Sequence, residues 1–372
     1  MRINPLSFQS AATRLNHDFI TEKNSQILLE LIRLHPGGIT GFELQQKTGL
    51  FKRPLYRYLN SFIDKKIIYR REIPVKRVGK RPYTLFINPE YCFGLGVLLL
   101  NSQAVFSLID FSGNCIDSGK IIIPIEGGKF SKKFLTTFAE YFARYPRICG
   151  VGISGPLVFR RPPQDPDILF SGFNIYQHVN QLVNTFEVPV YVNTYAESGL
   201  LFEMWKHGLK GNIVLYLTST AYIHGNPMLS LGLSVYYADR LLKGAHLGGN
   251  ISGLNCAYIK KSVRNRQNNW IEIVCSENAD KKEFMRFAEE TTRKIVDLVY
   301  IFDPHMIILG GDFEFISENF LSRLKEKIFT HLTHPELYTP EIRKGESRNV
   351  AQSTGSALQA FDGCFGALDS GD

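Results

Sequence analysis

The sequence lacks the features of a membrane or secreted protein. No apolar run approaches the roughly 20 residues that a membrane-spanning helix needs, and Phe93–Leu100 is far too short. The first residues, Met1 to Pro5, contain no apolar segment of the kind found in signal peptides. We therefore expect a cytoplasmic protein that does not associate with a membrane.

Cysteine is scarce and scattered, and no two cysteines form a C-x-x-C pair. The six cysteines are Cys92, Cys115, Cys149, Cys256, Cys275 and Cys364. In a chain of this length without a signal segment, this pattern predicts isolated thiols in a reducing compartment, not disulfides or a metal cage.

Positive charge, by contrast, is concentrated at one end. Residues 1–90 hold 16 Lys and Arg against 7 Asp and Glu, a net charge of +9, whereas the whole chain is +8. The remaining residues are therefore close to neutral, at −1. A basic surplus confined to one segment is typical of a region that contacts nucleic-acid phosphates.

Residues 20–88 carry the pattern of a winged helix-turn-helix. Apolar residues at helical spacing predict a first helix over 25–34, with Ser25 as its N-cap. Thr40 is expected to cap a second helix, and the turn at Gly49 leads into a third helix over 52–63. That helix would bury Leu55, Leu59, Phe62 and Ile63 and turn Lys52, Arg53, Tyr56 and Arg57 outward.

Two strands, 67–73 and 83–87, would flank a basic loop that forms the wing. Recognition-helix side chains enter the major groove in such domains, and wing cations follow the phosphate backbone. The alternative interpretation is a solvated basic hairpin without a partner. The predicted DNA contacts are Lys52, Arg53, Tyr56, Arg57, Arg70, Lys76, Arg77, Lys80 and Arg81.

Residues 91–372 alternate strands and helices in two similar sets. The first set has strands at 94–100, 104–110, 116–125 and 148–153, a helix near 130–145, a second helix at 179–186 and a strand at 188–192. The second has strands at 213–217, 231–237 and 306–309 and a long helix over 281–302. This order predicts two α/β lobes that face a cleft, the plan of the actin and sugar-kinase (ribonuclease-H-like) superfamily.

Several motifs in this order resemble the ROK family (repressors, open reading frames, sugar kinases), in its winged-helix repressor branch. The similar segments are 79–89 at the junction of wing and body, 109–113 (IDFSG), 150–158 (GVGISGPLV), 241–246 (LLKGAH) and 302–311 (FDPHMIILGG). The resemblance implies a head over 1–88, a first lobe over 89–200 and a second lobe over 201–372, with a C-terminal helix returning to the first lobe.

The sequence departs from the family pattern where the family's kinases carry out catalysis. Leu98 replaces the Asp of the first phosphate-binding strand, and 219–223 (STAYI) lacks the glycines of the second phosphate loop. Thr194 or Tyr195 stands at the position of the catalytic Asp, and neither is a base near neutral pH. Glu197 is interpreted as a solvated helix-start residue. We therefore expect no ATP binding, no catalytic residues and no enzymatic activity.

The family's zinc motif is also degenerate. The corresponding stretch, 249–256 (GNISGLNC), lacks the ligand His, and only Cys256 and Cys275 lie in this region. His246 is interpreted as a hydrogen-bonded loop residue. We expect no metal and no cofactor.

Small and amide-bearing residues remain where the resemblance implies sugar contacts. The expected effector-binding residues are Gly155, Gly172, Asn174, Asn193, Thr194, Tyr195 and Asn250. The sequence thus predicts a dimer, or dimer of dimers, that binds an operator in double-stranded DNA and represses carbohydrate-utilisation genes in response to a sugar-like effector. The alternatives are a DNA-binding scaffold regulated by a protein partner, a sugar kinase with an added head, and an activator.

Overall fold

The computed structural model describes most of the chain. The described residues are 2–3, 17–72, 83–100, 103–122, 125–126, 129–155, 157–160, 167–170, 173–209, 211–220, 228–237, 240–242, 254–258, 281–347 and 350–361. Their helices are α1 (His17–Arg33), α2 (Gly41–Thr48), α3 (Lys52–Asp64), α4 (Lys132–Arg144), α5 (Tyr176–Phe186), α6 (Tyr195–His207), α7 (Lys281–Phe302), α8 (Glu318–His331) and α9 (Val350–Leu358).

The strands form two large sheets and several hairpins. They are β1 (Arg2–Ile3), β2 (Ile68–Glu72), β3 (Tyr83–Ile87), β4 (Phe93–Leu99), β5 (Gln103–Ile109), β6 (Cys115–Ile122), β7 (Ile125–Glu126), β8 (Lys129–Phe130), β9 (Ile148–Gly155), β10 (Leu157–Arg160), β11 (Asp167–Phe170), β12 (Phe173–Asn174), β13 (Val190–Thr194), β14 (Val214–Thr220), β15 (Met228–Tyr237), β16 (Arg240–Leu241), β17 (Leu254–Tyr258), β18 (Met306–Gly311) and β19 (Glu341–Lys344).

The head consists of α1, α2, α3 and the antiparallel β2–β3 hairpin. Its helices bury Leu28, Leu44 and Leu59, and Ile39 bridges to Leu85 of β3, which ties the turn after α1 to the hairpin. The predicted helix-turn-helix order is confirmed. The prediction that Ser25 caps α1 is wrong, because the helix already begins at His17 and Ser25 lies buried inside it.

The two large sheets repeat one topology. In the first sheet, the antiparallel strands β4, β5 and β6 are followed across the sheet by β9 and β13, which run parallel to β4. In the second sheet, the antiparallel pair β14 and β15 is followed by β18 and β19, parallel to β14. The predicted two-lobed α/β body of sugar-kinase type is confirmed by this repeated order.

Each sheet carries helices on both faces. Phe134 and Phe138 of α4 pack with Val179 of α5 on the outer face of the first sheet. Helices α7 and α8 cover the second sheet in the same way, with Ile295 and Leu324 in its core. Apolar residues at helical spacing produce these faces, because burying such a stripe against a sheet removes it from water.

Helices α6 and α9 lie between the two sheets and contact each other. Helix α9 packs on the first sheet, where side chains at Gly96 and Gly152 would strike backbone oxygens of Ser353 and Ser356. Helix α6 packs on the second sheet. The lobes therefore meet through two closely apposed helices. No helix in the described part of the chain is long and apolar enough to cross a membrane.

Candidate nucleic-acid interface and effector cleft

Helix α3 presents its cations to solvent while its opposite side forms the core of the head. Lys52, Arg53 and Arg57 are exposed, whereas Leu55 and Leu59 are fully buried. The guanidinium of Arg57 lies 5.7 Å from the centre of the Tyr58 ring. A helix with three exposed cations in its first two turns has the charge and the side-chain reach that contact with a duplex requires.

Tyr56 departs from the prediction that it faces outward with those cations. It is half-buried and packs against the head core, and a side chain at Gly41 would lie 2.9 Å from its hydroxyl. Its ring thus fixes the approach of α2 to α3. The helical spacing of the sequence placed Tyr56 near the boundary between the two faces, which explains the error.

Both ends of α2 are defined by local features of the sequence. The Oγ1 of Thr40 accepts from the amide of Glu43 at 3.2 Å, and the Glu43 carboxylate accepts from the Thr40 amide at 2.8 Å. The hydrogen bonds that the Thr40 amide and hydroxyl donate to the Glu43 carboxylate lower the pKa of Glu43. Gly49 ends α2 with φ of +67°, a conformation that glycine adopts without strain. The predicted cap and turn are confirmed.

The hairpin carries further cations beside aromatic rings. Arg70 is exposed on β2 with its guanidinium 5.8 Å from the centre of the Tyr83 ring, and Arg71 lies 5.1 Å from the centre of Phe86. Aromatic contacts of this kind orient a guanidinium while leaving its donors free. The remaining predicted wing contacts lie outside the described residues: Lys76, Arg77, Lys80 and Arg81.

Three predicted effector residues come together where strands β9 and β13 end. Gly155 pairs in register with Thr194, and Asn193 pairs with Ser154. Asn193 is fully buried; its amide donates to the Gln359 side chain at 2.6 Å, and its Oδ1 has no hydrogen-bond partner among the described residues. A buried acceptor without a partner at a sheet edge is a group that a ligand hydroxyl can satisfy.

The other predicted effector residues are placed differently. Asn174 is exposed, and its Oδ1 accepts from the amide of Tyr176 at the start of α5. Tyr195 begins α6 next to Thr194, and its carbonyl accepts from Gln352 at 2.6 Å. Gly172 and Asn250 lie outside the described residues.

The positions expected to correspond to kinase groups have structural partners. Thr194 caps α6 by accepting from the Glu197 amide at 3.2 Å, and the Glu197 carboxylate accepts from the Thr194 amide. Glu197 is therefore buried, and its predicted solvation is wrong; its predicted place in the first turn of α6 is confirmed. Leu98 is fully buried in β4.

Tyr216 occupies the space that Gly310, near the end of β18, leaves open. It is fully buried on β14, and a side chain at Gly310 would lie 1.9 Å from its hydroxyl. That hydroxyl bonds to Ser347 Oγ at 2.5 Å, and burial raises the pKa of Tyr216 well above its ordinary value. This part of the second lobe is filled by protein.

Metal ligation finds no support in the described part of the chain. No group of three or more His, Cys, Asp or Glu side chains converges there. His246, Cys275 and most of the stretch expected to correspond to the zinc motif lie outside the described residues.

Polar residues of α9, and Gln359 directly after it, lie beside the candidate effector cleft, although the sequence did not single them out. Gln352 donates to the carbonyl of Tyr195, and Ser356 donates to Ser154 at 2.6 Å. Gln359 accepts from the side chain of Asn193. The one available signal was the run of small residues over 351–357, which allows close packing on the sheet glycines but gives no amphipathic stripe.

The head joins the body through a shared core. The ring of Phe111, in the turn after β5, lies 5.2 Å from the Tyr91 ring and 5.2 Å from the Phe361 ring. Ile109 and Ala357 of the body belong to the same apolar cluster as the helices of the head. The cluster therefore connects the head with the end of α9.

A second contact links α1 to α6, and we call it the Trp205 contact. The guanidinium of Arg33 lies 5.5 Å from the centre of the Trp205 ring, and Leu34 packs against Gly208. Burial lowers the pKa of Arg33 to about 10, so it remains charged at neutral pH. The first helix of the head thus touches the end of the inter-lobe helix.

Helix α6 is also fixed to the second lobe by a buried carboxylate. Glu203 is fully buried and accepts from Arg343 Nη2 at 3.0 Å and from the backbone amide of Glu346. His207 Nε2 lies 3.4 Å from the same carboxylate, and burial lowers the pKa of His207. These groups hold α6 against β19 and the segment that follows it.

The head and the body together define a class: a winged helix-turn-helix mounted on a two-lobed, sugar-kinase-like body. A solved structure of a ROK family transcriptional regulator, a homologue of the E. coli Mlc protein, superposes with a TM-score of 0.72 at 16% identity and covers 94% of this chain and 98% of its own. The resemblance to the ROK family is confirmed, and the chain has the fold of a ROK transcriptional regulator.

Other comparisons agree with this assignment. The xylose repressor of Caldicellulosiruptor bescii is 22% identical over 90% of this chain and 94% of its own length. The ROK hexokinase of Thermus thermophilus matches at a TM-score of 0.53 and 19% identity, covering 72% of this chain and 98% of its own. No family model matches the sequence. The matched kinase is therefore similar to the two-lobed body of this chain, whereas the matched regulator is similar to both the body and the head.

Proposed function

We propose that this protein is a sugar-responsive, DNA-binding transcriptional repressor of carbohydrate-utilisation genes whose kinase-like body does not catalyse phosphoryl transfer. The observation that carries the proposal is the free cationic start of α3 on a head that shares its core with the body. Lys52, Arg53 and Arg57 would enter the major groove, and Arg70 with the wing cations would contact the flanking backbone.

The cleft is proposed to hold a carbohydrate at the edge formed by Gly155, Asn193 and Thr194. The Oδ1 of Asn193, which has no partner among the described residues, supports a ligand that donates a hydrogen bond. Asn174, Tyr195, Gly172 and Asn250 complete the proposed set. Because the C. bescii relative is a xylose repressor, pentoses come first among the sugars to test.

The proposed regulation runs from the cleft to the head. A ligand that favours one lobe arrangement would shift α6 and α9, and the Trp205 contact would pass that shift to α1. The change in DNA affinity would equal the effector's differential affinity for the two arrangements. A cytoplasmic dimer or dimer of dimers would place two heads on two half-sites of an operator.

The absence of catalysis is proposed from the groups at the cleft. Buried Leu98 has no charge to offer a metal–phosphate complex, and Thr194 is engaged as the cap of α6. Tyr216 fills the space beside Gly310. Incubation with ATP and a panel of sugars should give no sugar phosphate, and clear turnover would refute this part of the proposal.

DNA binding is tested by selecting duplexes from a random pool with the purified protein. We expect one enriched sequence, and Arg53→Ala with Arg57→Ala should weaken its binding at least tenfold and reduce the salt slope by about 2. The matched control removes two exposed cations of α8, Arg323→Ala with Lys325→Ala. Equal affinities for both double variants would refute the proposed interface.

A further inference from the structure

The start of α3 carries an aromatic side chain that folding does not explain. Phe51 is the N-cap residue of α3, its side chain makes no capping hydrogen bond, and it is 83% exposed. Ser, Thr, Asp and Asn are strongly preferred at this position because their oxygens satisfy a free backbone amide. Phenylalanine therefore gives up a stabilising interaction without gaining burial.

The other helices of this protein show the contrast. Six helices have an N-cap among the described residues, and four of these caps accept a hydrogen bond through a hydroxyl: Thr40, Ser131, Thr194 and Ser317. The fifth, Ile175, makes no capping bond but is fully buried in the first-lobe core. Phe51 neither caps its helix nor packs in a core.

The surroundings of Phe51 favour a nucleic acid as its partner. Lys52 and Arg53 follow it directly, Arg57 lies one turn further along the helix, and all three are exposed. The negatively charged phosphates of a nucleic acid complement these cations. Binding to an apolar protein surface would instead remove water from the three cations without providing opposite charges. The first residues of a recognition helix are those that meet base edges.

We propose that Phe51 is a specificity-determining residue that contacts the C5-methyl group of a thymine in the major groove. This inference rests on the proposed function, because it requires that α3 enters the duplex. Thymine is the base that displays a methyl group in the major groove, and apolar side chains read it by contact. The arginines on the same helix would supply hydrogen bonds and charge. Phe51 would distinguish thymine from the other bases through apolar contact with its methyl group.

The test replaces each thymine of the selected duplex, one at a time, by deoxyuridine, which lacks only the methyl group. Affinities of the full-length protein are measured by fluorescence anisotropy. We expect a position at which the replacement weakens wild-type binding by about threefold to tenfold. Phe51→Ser should bind the thymine duplex more weakly and lose its sensitivity to deoxyuridine at that position.

Two controls separate this result from a folding defect. Phe51→Ser introduces a hydroxyl that can cap α3, so the thermal unfolding midpoint of this variant should be equal to or above that of wild type. Phe329→Ser removes an exposed phenylalanine of α8 and should keep the wild-type deoxyuridine sensitivity.

The outcomes distinguish the two proposals. If wild type binds a selected duplex but no thymine methyl affects its affinity, or if Phe51→Ser retains the full sensitivity, the inference about Phe51 is refuted while DNA binding stands. If the selection enriches no sequence, the proposed function fails and the inference fails with it.

Discussion

Replacing Gly355 by alanine should force apart the two helices that join the lobes. The added methyl carbon would lie 1.9 Å from the carbonyl oxygen of Ser198 and 3.1 Å from Cβ of Phe202. An ordinary contact begins near 3.4 Å, so α6 and α9 must separate by about 1.5 Å at this point. Both obstructing atoms, the backbone oxygen of Ser198 and the Cβ of Phe202, belong to α6, and a rotamer change can move neither.

The expected loss of stability follows from two opposing terms. Overpacking of a tight contact costs about 3 kcal/mol when the backbone must shift. Alanine recovers about 1 kcal/mol of helix propensity relative to glycine. We therefore expect Gly355→Ala to lower the free energy of unfolding by about 2 kcal/mol.

The assay is urea unfolding followed by far-ultraviolet circular dichroism. The matched control is Gly37→Ala, where an added Cβ has no heavy atom within 4 Å, and we expect its stability to be unchanged or slightly raised. If Gly355→Ala unfolds at the wild-type urea concentration, the close approach of α6 and α9 is refuted.

Three further predictions concern other contacts. Glu203→Gln should cost about 2 kcal/mol by urea unfolding, because Arg343 loses its buried counter-charge; a neutral result would contradict the ion pair. Trp205→Leu should leave DNA affinity without a sugar unchanged within about twofold and reduce the sugar-induced change, measured by anisotropy; an unaltered response would exclude this route. Thr40→Ala should be destabilising at pH 7 by urea unfolding. Alanine also removes the hydrogen bond that the Thr40 hydroxyl donates to the Glu43 carboxylate at 2.8 Å. Because the pKa of Glu43 is lowered in the folded protein, this contribution is present above the ordinary glutamate pKa and is lost as the pH falls through the lowered one. The deficit should therefore shrink in acid, and a constant deficit would argue against the capping pair.

Local patterns in the sequence were sufficient to predict most elements that pack an apolar stripe on a sheet. The long helix Lys281–Phe302 has the predicted bounds, and Thr40 and Gly49 mark the two ends of α2 where the sequence indicates them. The prediction that Ser25 caps α1 was wrong because a hydroxyl before an apolar run resembles an N-cap even when the helix begins further upstream.

The rest depended on contacts between distant segments. Helix α9 is made largely of small residues, and it is stabilised by close packing on glycines of β4 and β9. The local sequence does not reveal this packing. Glu203 lies on α6, and only the tertiary fold buries it beside Arg343. The candidate cleft was found by resemblance, whereas Gln352 and Gln359 required the structure.

The shared core at Phe111 has a consequence for how the two proposed activities of this protein, DNA binding and ligand binding, would affect each other. Because the head packs against residues at the end of α9, it is not connected to the body by a linker alone. A displacement of the head therefore changes its contacts with the body, and the reverse also holds. If the protein binds an operator and a sugar as proposed, thermodynamic linkage works in both directions: the operator would change the affinity of the cleft for the sugar by the same factor by which the sugar changes the affinity for DNA. The amount of occupied operator in a cell would therefore set how much sugar is needed to release it.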